Sequence, residues 1–149
     1  MTAELAFVDT NVLLYAYDRS AGHKHELARS LLTSLWDTHA GVLSGQVLQE
    51  FYVNATRKLP RTLKPAIARS IVERYSVWPV HLVEPRDIVA ASTLEQRHSL
   101  SFWDALIVVS AARSGARRLV TEDMQDGRVL HGVRIEDPFR GVGQTQPPG

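Results

Sequence analysis

Four carboxylates stand out by their placement. Asp9 closes the short apolar run Leu5-Ala6-Phe7-Val8, and Asp123 stands just past the run Arg118-Leu119-Val120-Thr121. Between them, Glu50 follows Ser44-Gly45-Gln46-Val47-Leu48-Gln49, and Asp104 follows Ser101-Phe102-Trp103. Taken singly, each has an ordinary explanation: a helix cap, a charge in a helix's first turn, a solvated helix position or a turn residue. Taken together in one crevice, they repel. At ~6 Å and an effective dielectric of about 20, each ionised pair costs on the order of 3 kcal/mol. No Lys or Arg close by in sequence obviously neutralises them. Either some stay protonated or a cation resolves the conflict. Oxygen donors without any cysteine call for a hard cation, Mg²⁺ or Mn²⁺. Such an ion lowers the pKa of its water ligands, a chemistry suited to hydrolysing phosphate esters.

For the acids to meet, particular elements must carry them. Short β-rich runs at 5–8, 40–43, 80–83, 118–121 and, more weakly, 133–135 alternate with helical patterns at about 10–18, 23–37, 45–58, 64–76, 86–98 and 102–115. That alternation predicts a three-layer α/β/α sandwich around a mostly parallel sheet of four to five strands. Pro79 ahead of the third run suggests an edge strand. In a parallel sheet all strand C-termini share one edge, so Asp9 and Asp123 share it across 114 residues of chain. Helices return antiparallel, which brings the helix starts carrying Glu50 and Asp104 to the same edge, where such folds bind ligands. Ser101 reads as an N-cap with Asp104 at the third helical position. The helix at 102–115 is apolar nearly all round and therefore buried. Glu50 falls beside Val47 at the margin of the stripe Val47, Leu48, Phe51, Tyr52 and Ala55, facing a crevice rim.

Composition sets the frame. The chain has 149 residues, 44% hydrophobic and 22% charged, which excludes a disordered chain and fits one domain. The absence of cysteine excludes disulfide scaffolds, thiolate zinc sites and a cysteine nucleophile. A net charge of +1 gives no strong global attraction to nucleic acid, so such a role must rest on local patches. The first residues carry no secretory signal and no apolar run is long enough for a membrane span, so a soluble cytoplasmic protein is expected. The expected domain covers 1–140, with a disordered Gly/Pro/Gln-rich tail over 141–149.

In order and at family spacing, five segments resemble the motifs of the PIN domain. They are Phe7-Val8-Asp9-Thr10-Asn11-Val12-Leu13-Leu14-Tyr15, the Glu50 segment, Leu100 to Ile107 around Asp104, Thr121-Glu122-Asp123-Met124-Gln125-Asp126-Gly127, and Gly132 to Phe139. The compact form most resembles the VapC toxins of toxin–antitoxin pairs. The resemblance implies a metal-dependent endoribonuclease using Mg²⁺ or Mn²⁺, an RNA substrate, a VapB-type antitoxin partner and a homodimer. It implies Asp9, Asp104 and Asp123 as direct metal ligands, and Glu50 acting through water or orienting the attacking water. It also implies that Thr10, Asn11 and Thr121 support the acids, with Asp126 close enough to share the role of Asp123.

RNA reaching an acidic crevice needs flanking cations. Arg57, Lys58, Arg61, Lys64 and Arg69 cluster around Pro60 and Pro65, and Arg57, Lys58 and Arg61 are expected to contact the RNA backbone. The histidines show no ligand spacing, and Trp36, Trp78 and Trp103 are expected in the core. The apolar residues of 10–18 and 23–37 exceed what a sheet needs and offer a seam for a partner. A haloacid dehalogenase reading would need an Asp where Asn11 stands. A receiver-domain reading lacks its third-strand Asp. A housekeeping PIN nuclease without an antitoxin is the runner-up.

Overall fold

The computed structural model describes residues 4–141. Its elements run β1 (Ala6–Val8), α1 (Thr10–Ala16), a 3-10 turn (Arg19–Ala21), α2 (His23–Thr38), β2 (Gly41–Ser44), α3 (Gly45–Arg57), α4 (Pro65–Tyr75), β3 (Val80–His81), α5 (Pro85–His98), α6 (Phe102–Arg113), β4 (Arg118–Val120), β5 (Val129–Leu130) and β6 (Val133–Glu136). One sheet of strand order β3-β2-β1-β4-β6-β5 organises them. All its pairings are parallel except β5 with β6. β3 takes the edge, as Pro79 suggests. From β1 the chain steps outward to β2 and β3, then crosses back to β4. With right-handed crossovers, that reversal sets α1–α4 on one face and α5 and α6 on the other.

The sheet has six strands rather than four or five. The sixth, β5, is two residues long and pairs with β6 across His131 and Gly132, both at positive φ (53° and 78°). That is the backbone of a tight primed hairpin, but His-Gly is a weak hairpin signal and two residues show no alternation. The expected disordered tail falls, beyond Gly141, outside the described residues.

The core residues follow from the patterns. Val8, Val42, Leu119 and Ile135 are fully or almost fully buried on the sheet, and Val47, Phe51 and Ala55 face it from α3. Helix α6 buries everything from Ala105 to Ala111. Trp103, at its second position, is instead 63% exposed. Trp78 is buried against Gly41, where any Cβ would lie 2.3 Å from the indole ring. Trp36 packs beside it with ring centroids 5.2 Å apart. The apolar residues of α1 and α2, including Val12, Leu13, Ala28, Leu32 and Leu35, are spent in the core. Leu27 of α2 is 39% exposed, and the other exposed large apolar side chains lie outside α1 and α2, among them Val77, Leu82, Ile88 and Val89.

Candidate active site

The C-terminal edge of the parallel strands carries the carboxylates. Asp9 leaves β1 in extended conformation and caps α1, its Oδ1 accepting from the Thr10 backbone N–H at 2.7 Å. Its Oδ2 accepts from the Thr121 hydroxyl at 2.8 Å. Thr121 follows β4, the strand beside β1, and its Oγ1 also accepts from the Asp123 backbone N–H at 3.1 Å. One buried hydroxyl thus fixes Asp9 and Asp123 relative to each other.

Ser44 caps α3 by accepting from the Val47 N–H at 3.2 Å. This aims Glu50 across to α1, where the Thr10 hydroxyl donates to Glu50 Oε2 at 2.9 Å and Gln46 Nε2 to Oε1 at 3.0 Å. Glu50 lies on the exposed rim. Asn11 Nδ2 donates to Asp123 Oδ2 at 3.3 Å. Ser101 caps α6, its Oγ accepting from the Asp104 N–H at 3.0 Å, and this sets Asp104 in the first turn.

The electrostatics show which groups face one another. Burial pushes the Asp9 carboxyl up to about 6, against the hydrogen bonds from Thr121 and Thr10, and the charges of Asp123 and Glu50 add to the rise. The Asp123 carboxyl is also raised, first by burial, then by the charges of Glu122, Asp104 and Asp137, with Lys24 opposing. Asp9 thus senses Asp123 and Glu50 as like charges, and Asp123 senses Asp104. No Lys or Arg forms an ion pair with any of them among the described residues.

Asp126 stands apart. Its Oδ1 accepts from the Asp137 N–H at 2.8 Å and its Oδ2 from Arg140 Nη1 at 2.7 Å. Both oxygens fasten the segment after β6, and the carboxylate is not brought to the other acids. Of the cations, Lys58 lines a groove that reaches Asn11. Arg57 and Arg61 are exposed at the end of α3 and in the turn beyond it.

Three residues at this edge escape sequence reasoning. Glu122 accepts from the Tyr15 hydroxyl at 2.5 Å and pairs with Lys24 Nζ at 2.8 Å. Lys24 Nζ lies 5.1 Å from the centroid of the Tyr15 ring and 5.6 Å from that of Phe139. This clamp ties α1, α2 and the β4–β5 loop together beside Asp123. Glu122 sits next to Asp123 in sequence, but nothing local signals a lysine 98 residues away.

The donor set suits a hard divalent cation. Its side-chain donors are all oxygens, and burial together with neighbouring carboxylates raises the Asp9 and Asp123 carboxyls with no ion-paired cation to offset them. Among the described residues no three Asp, Glu or His side chains are gathered closely enough to hold an ion by themselves.

The molecule is thus an α/β sandwich with carboxylates placed along the C-terminal edge of its parallel strands. The family model of the PIN domain matches residues 6–126. The chain is 32% identical over 123 residues to Ribonuclease VapC23 of Mycobacterium tuberculosis, covering 80% of this chain and 93% of that protein. It belongs to the PIN-domain family. Its fold is similar to that of a toxin–antitoxin complex from Klebsiella pneumoniae (TM-score 0.64, 20% identity, 89% of this chain and 97% of that one). It is also similar to that of a DNA-bound VapBC complex from Salmonella typhimurium (TM-score 0.62, 20% identity, 91% and 99%).

Proposed function

We propose that the protein is an endoribonuclease toxin of the VapC type, dependent on Mg²⁺ or Mn²⁺, acting in the cytoplasm as a homodimer and restrained by a VapB-type antitoxin. The observation that supports the reading is the placement of Asp9, Glu50, Asp104 and Asp123 along one strand edge, linked through Thr10 and Thr121 and through pairwise like-charge effects, with no ion-paired cation among the described residues. The 32% identity to a protein named as a ribonuclease, over most of both chains, supports the choice of RNA. The two solved complexes support an antitoxin partner. Among the described residues no helix is long and apolar enough to cross a membrane.

Asp9, Asp104 and Asp123 would hold the ion. When bound, it supplies a water of lowered pKa and positive charge against the phosphate. The remaining work falls to the protein. Glu50, aimed by Thr10 and Gln46, accepts a proton or orients the attacking water at the crevice rim. Thr121 keeps Asp9 and Asp123 in register, and Asn11 fixes the direction of the Asp123 carboxylate. Arg57, Lys58 and Arg61 extend from the end of α3 as contacts for the RNA backbone.

The test is to map RNA ends in cells expressing the protein or its Asp9→Asn variant. Growth arrest and new 5′ ends are expected with the first and absent with the second. Identical end maps from the two proteins would end the reading.

A further inference from the structure

Beside the carboxylates, a cavity of about 300 Å³ lies between α1 and α3, lined by Asn11, Leu14, Tyr15, Asn54, Lys58 and Leu59. The spacing explains it. Asn11, Leu14 and Tyr15 share one face of α1, and Asn54 and Lys58 are successive positions on one face of α3. Its inner end is Asn11, whose amide already holds Asp123. One wall is the Tyr15 ring, fixed by its hydroxyl's bond to Glu122 and by an edge contact with Phe139 at 5.2 Å between centroids. Leu14 and Leu59 add apolar surface. On α3, the half-buried Asn54 carboxamide has no hydrogen-bond partner among the described residues, and Lys58 has no acidic partner among them. A cavity with two leucines, a tyrosine ring, side-chain amides and one cation, reaching the Asn11 that holds Asp123, matches an unstacked nucleotide. The apolar walls suit the base face, the amide its edge, and the ammonium its phosphate.

Resting on the reading of the crevice as a ribonuclease site, we infer that this cavity seats one base of the RNA next to the scissile phosphate. Asn54 reads that base, and Lys58 holds the adjoining phosphate. Asn54 is then a specificity residue, and Lys58 a contact that does not discriminate between sequences.

The test uses binding rather than cleavage. Asp9→Asn protein is equilibrated with a randomised single-stranded RNA pool and the bound RNA is sequenced. The same is done with Asn54→Asp and Asn54→Ala added to that background, and melting curves show that each variant is folded. The parent is expected to enrich one base at one position. Both Asn54 variants are expected to weaken or change that preference by at least about fivefold, the lower end of what a two-bond base contact supplies. Lys58→Ala should keep the preference and lower affinity for all sequences, reducing the log–log salt slope by about 0.7. Equal enrichment in parent and Asn54 variants, or RNA binding by the parent with no base preference, overturns the inference and leaves the cavity to a protein partner. Failure of the parent to bind any RNA overturns the ribonuclease reading as well, so the two failures are distinct.

Discussion

Asp9 serves two roles that conflict. As a helix cap it must stay where it is, and as a buried acid with other carboxylates nearby it resists ionisation. Its folded carboxyl binds a proton more tightly than in the unfolded chain, with a pKa of about 6 against 3.8. Its contribution to stability is therefore full below about pH 3.8 and is lost as pH rises through about 6. A shift of that size corresponds to about 3 kcal/mol. Asn caps helices as well as Asp does and carries no charge. In chelator-treated buffer, Asp9→Asn is expected to gain stability relative to the wild type between pH 4 and pH 7, by up to about 3 kcal/mol in urea unfolding. A constant difference across that range would mean the burial penalty is absent. The same variant should lose RNA hydrolysis by at least ~100-fold, because the site then lacks a ligand with full negative charge.

At the scale of elements, one latch has the opposite pH sign. Asp87, fully buried in the first turn of α5, accepts from the Glu84 backbone N–H and contacts His81 Nε2, each at 2.9 Å, with Arg113 of α6 2.9 Å from its other oxygen. Burial opposes its ionisation, but the Glu84 N–H, His81 and Arg113 together hold its carboxyl below the ordinary value. That stabilisation is present above pH 3.8 and is lost as pH falls through the folded value. Asp87→Ala strands Arg113 and His81 and removes the helix cap, so a loss of about 3 kcal/mol is expected in denaturant melts. Ser101→Ala, which removes only the cap that sets Asp104, should cost about 1 kcal/mol. It should also lower hydrolysis, since Asp104 then loses its fixed approach.

The helices were legible because long apolar periods and caps such as Ser101 and Pro85 mark them, and the parallel strands because each is a short apolar run ending at a polar turn. The placement of Asp9 and Asp123 at one edge follows from strand direction, and that of Glu50 and Asp104 from the helix starts that return to it. What stayed hidden depends on contacts distant in sequence. The Lys24–Glu122 clamp spans 98 residues, β5 exists only because β6 pairs with it, and Asp126 is drawn away by Arg140, itself outside any periodic element. Trp103 reads as core because hydrophobicity does not say which way a side chain faces in the first turn of a helix.

For the whole molecule, the acids proposed as ligands share an edge only when it is folded. Asp9 leaves β1, Glu50 rides on α3, Asp104 opens α6 and Asp123 follows β4, so an unfolded chain offers no site. An ion that binds the native state alone stabilises it by about 2.7 kcal/mol at a hundred times its dissociation constant. For a chain of this length that corresponds to a rise in Tm of roughly 5–10 °C. We expect Mn²⁺ or Mg²⁺ to raise the Tm of the wild type in this way, and Asp9→Asn and Asp104→Asn to abolish most of the rise. The sign of the pH effect follows from Asp9. Below about pH 6 the ion must displace a proton held by burial, so the metal-induced rise should shrink as pH falls from 7 to 5. Differential scanning calorimetry at the two pH values, with and without metal, measures it. A rise of equal size in wild type and both variants would place the ion elsewhere on the surface and remove the reason for four acids to share one edge.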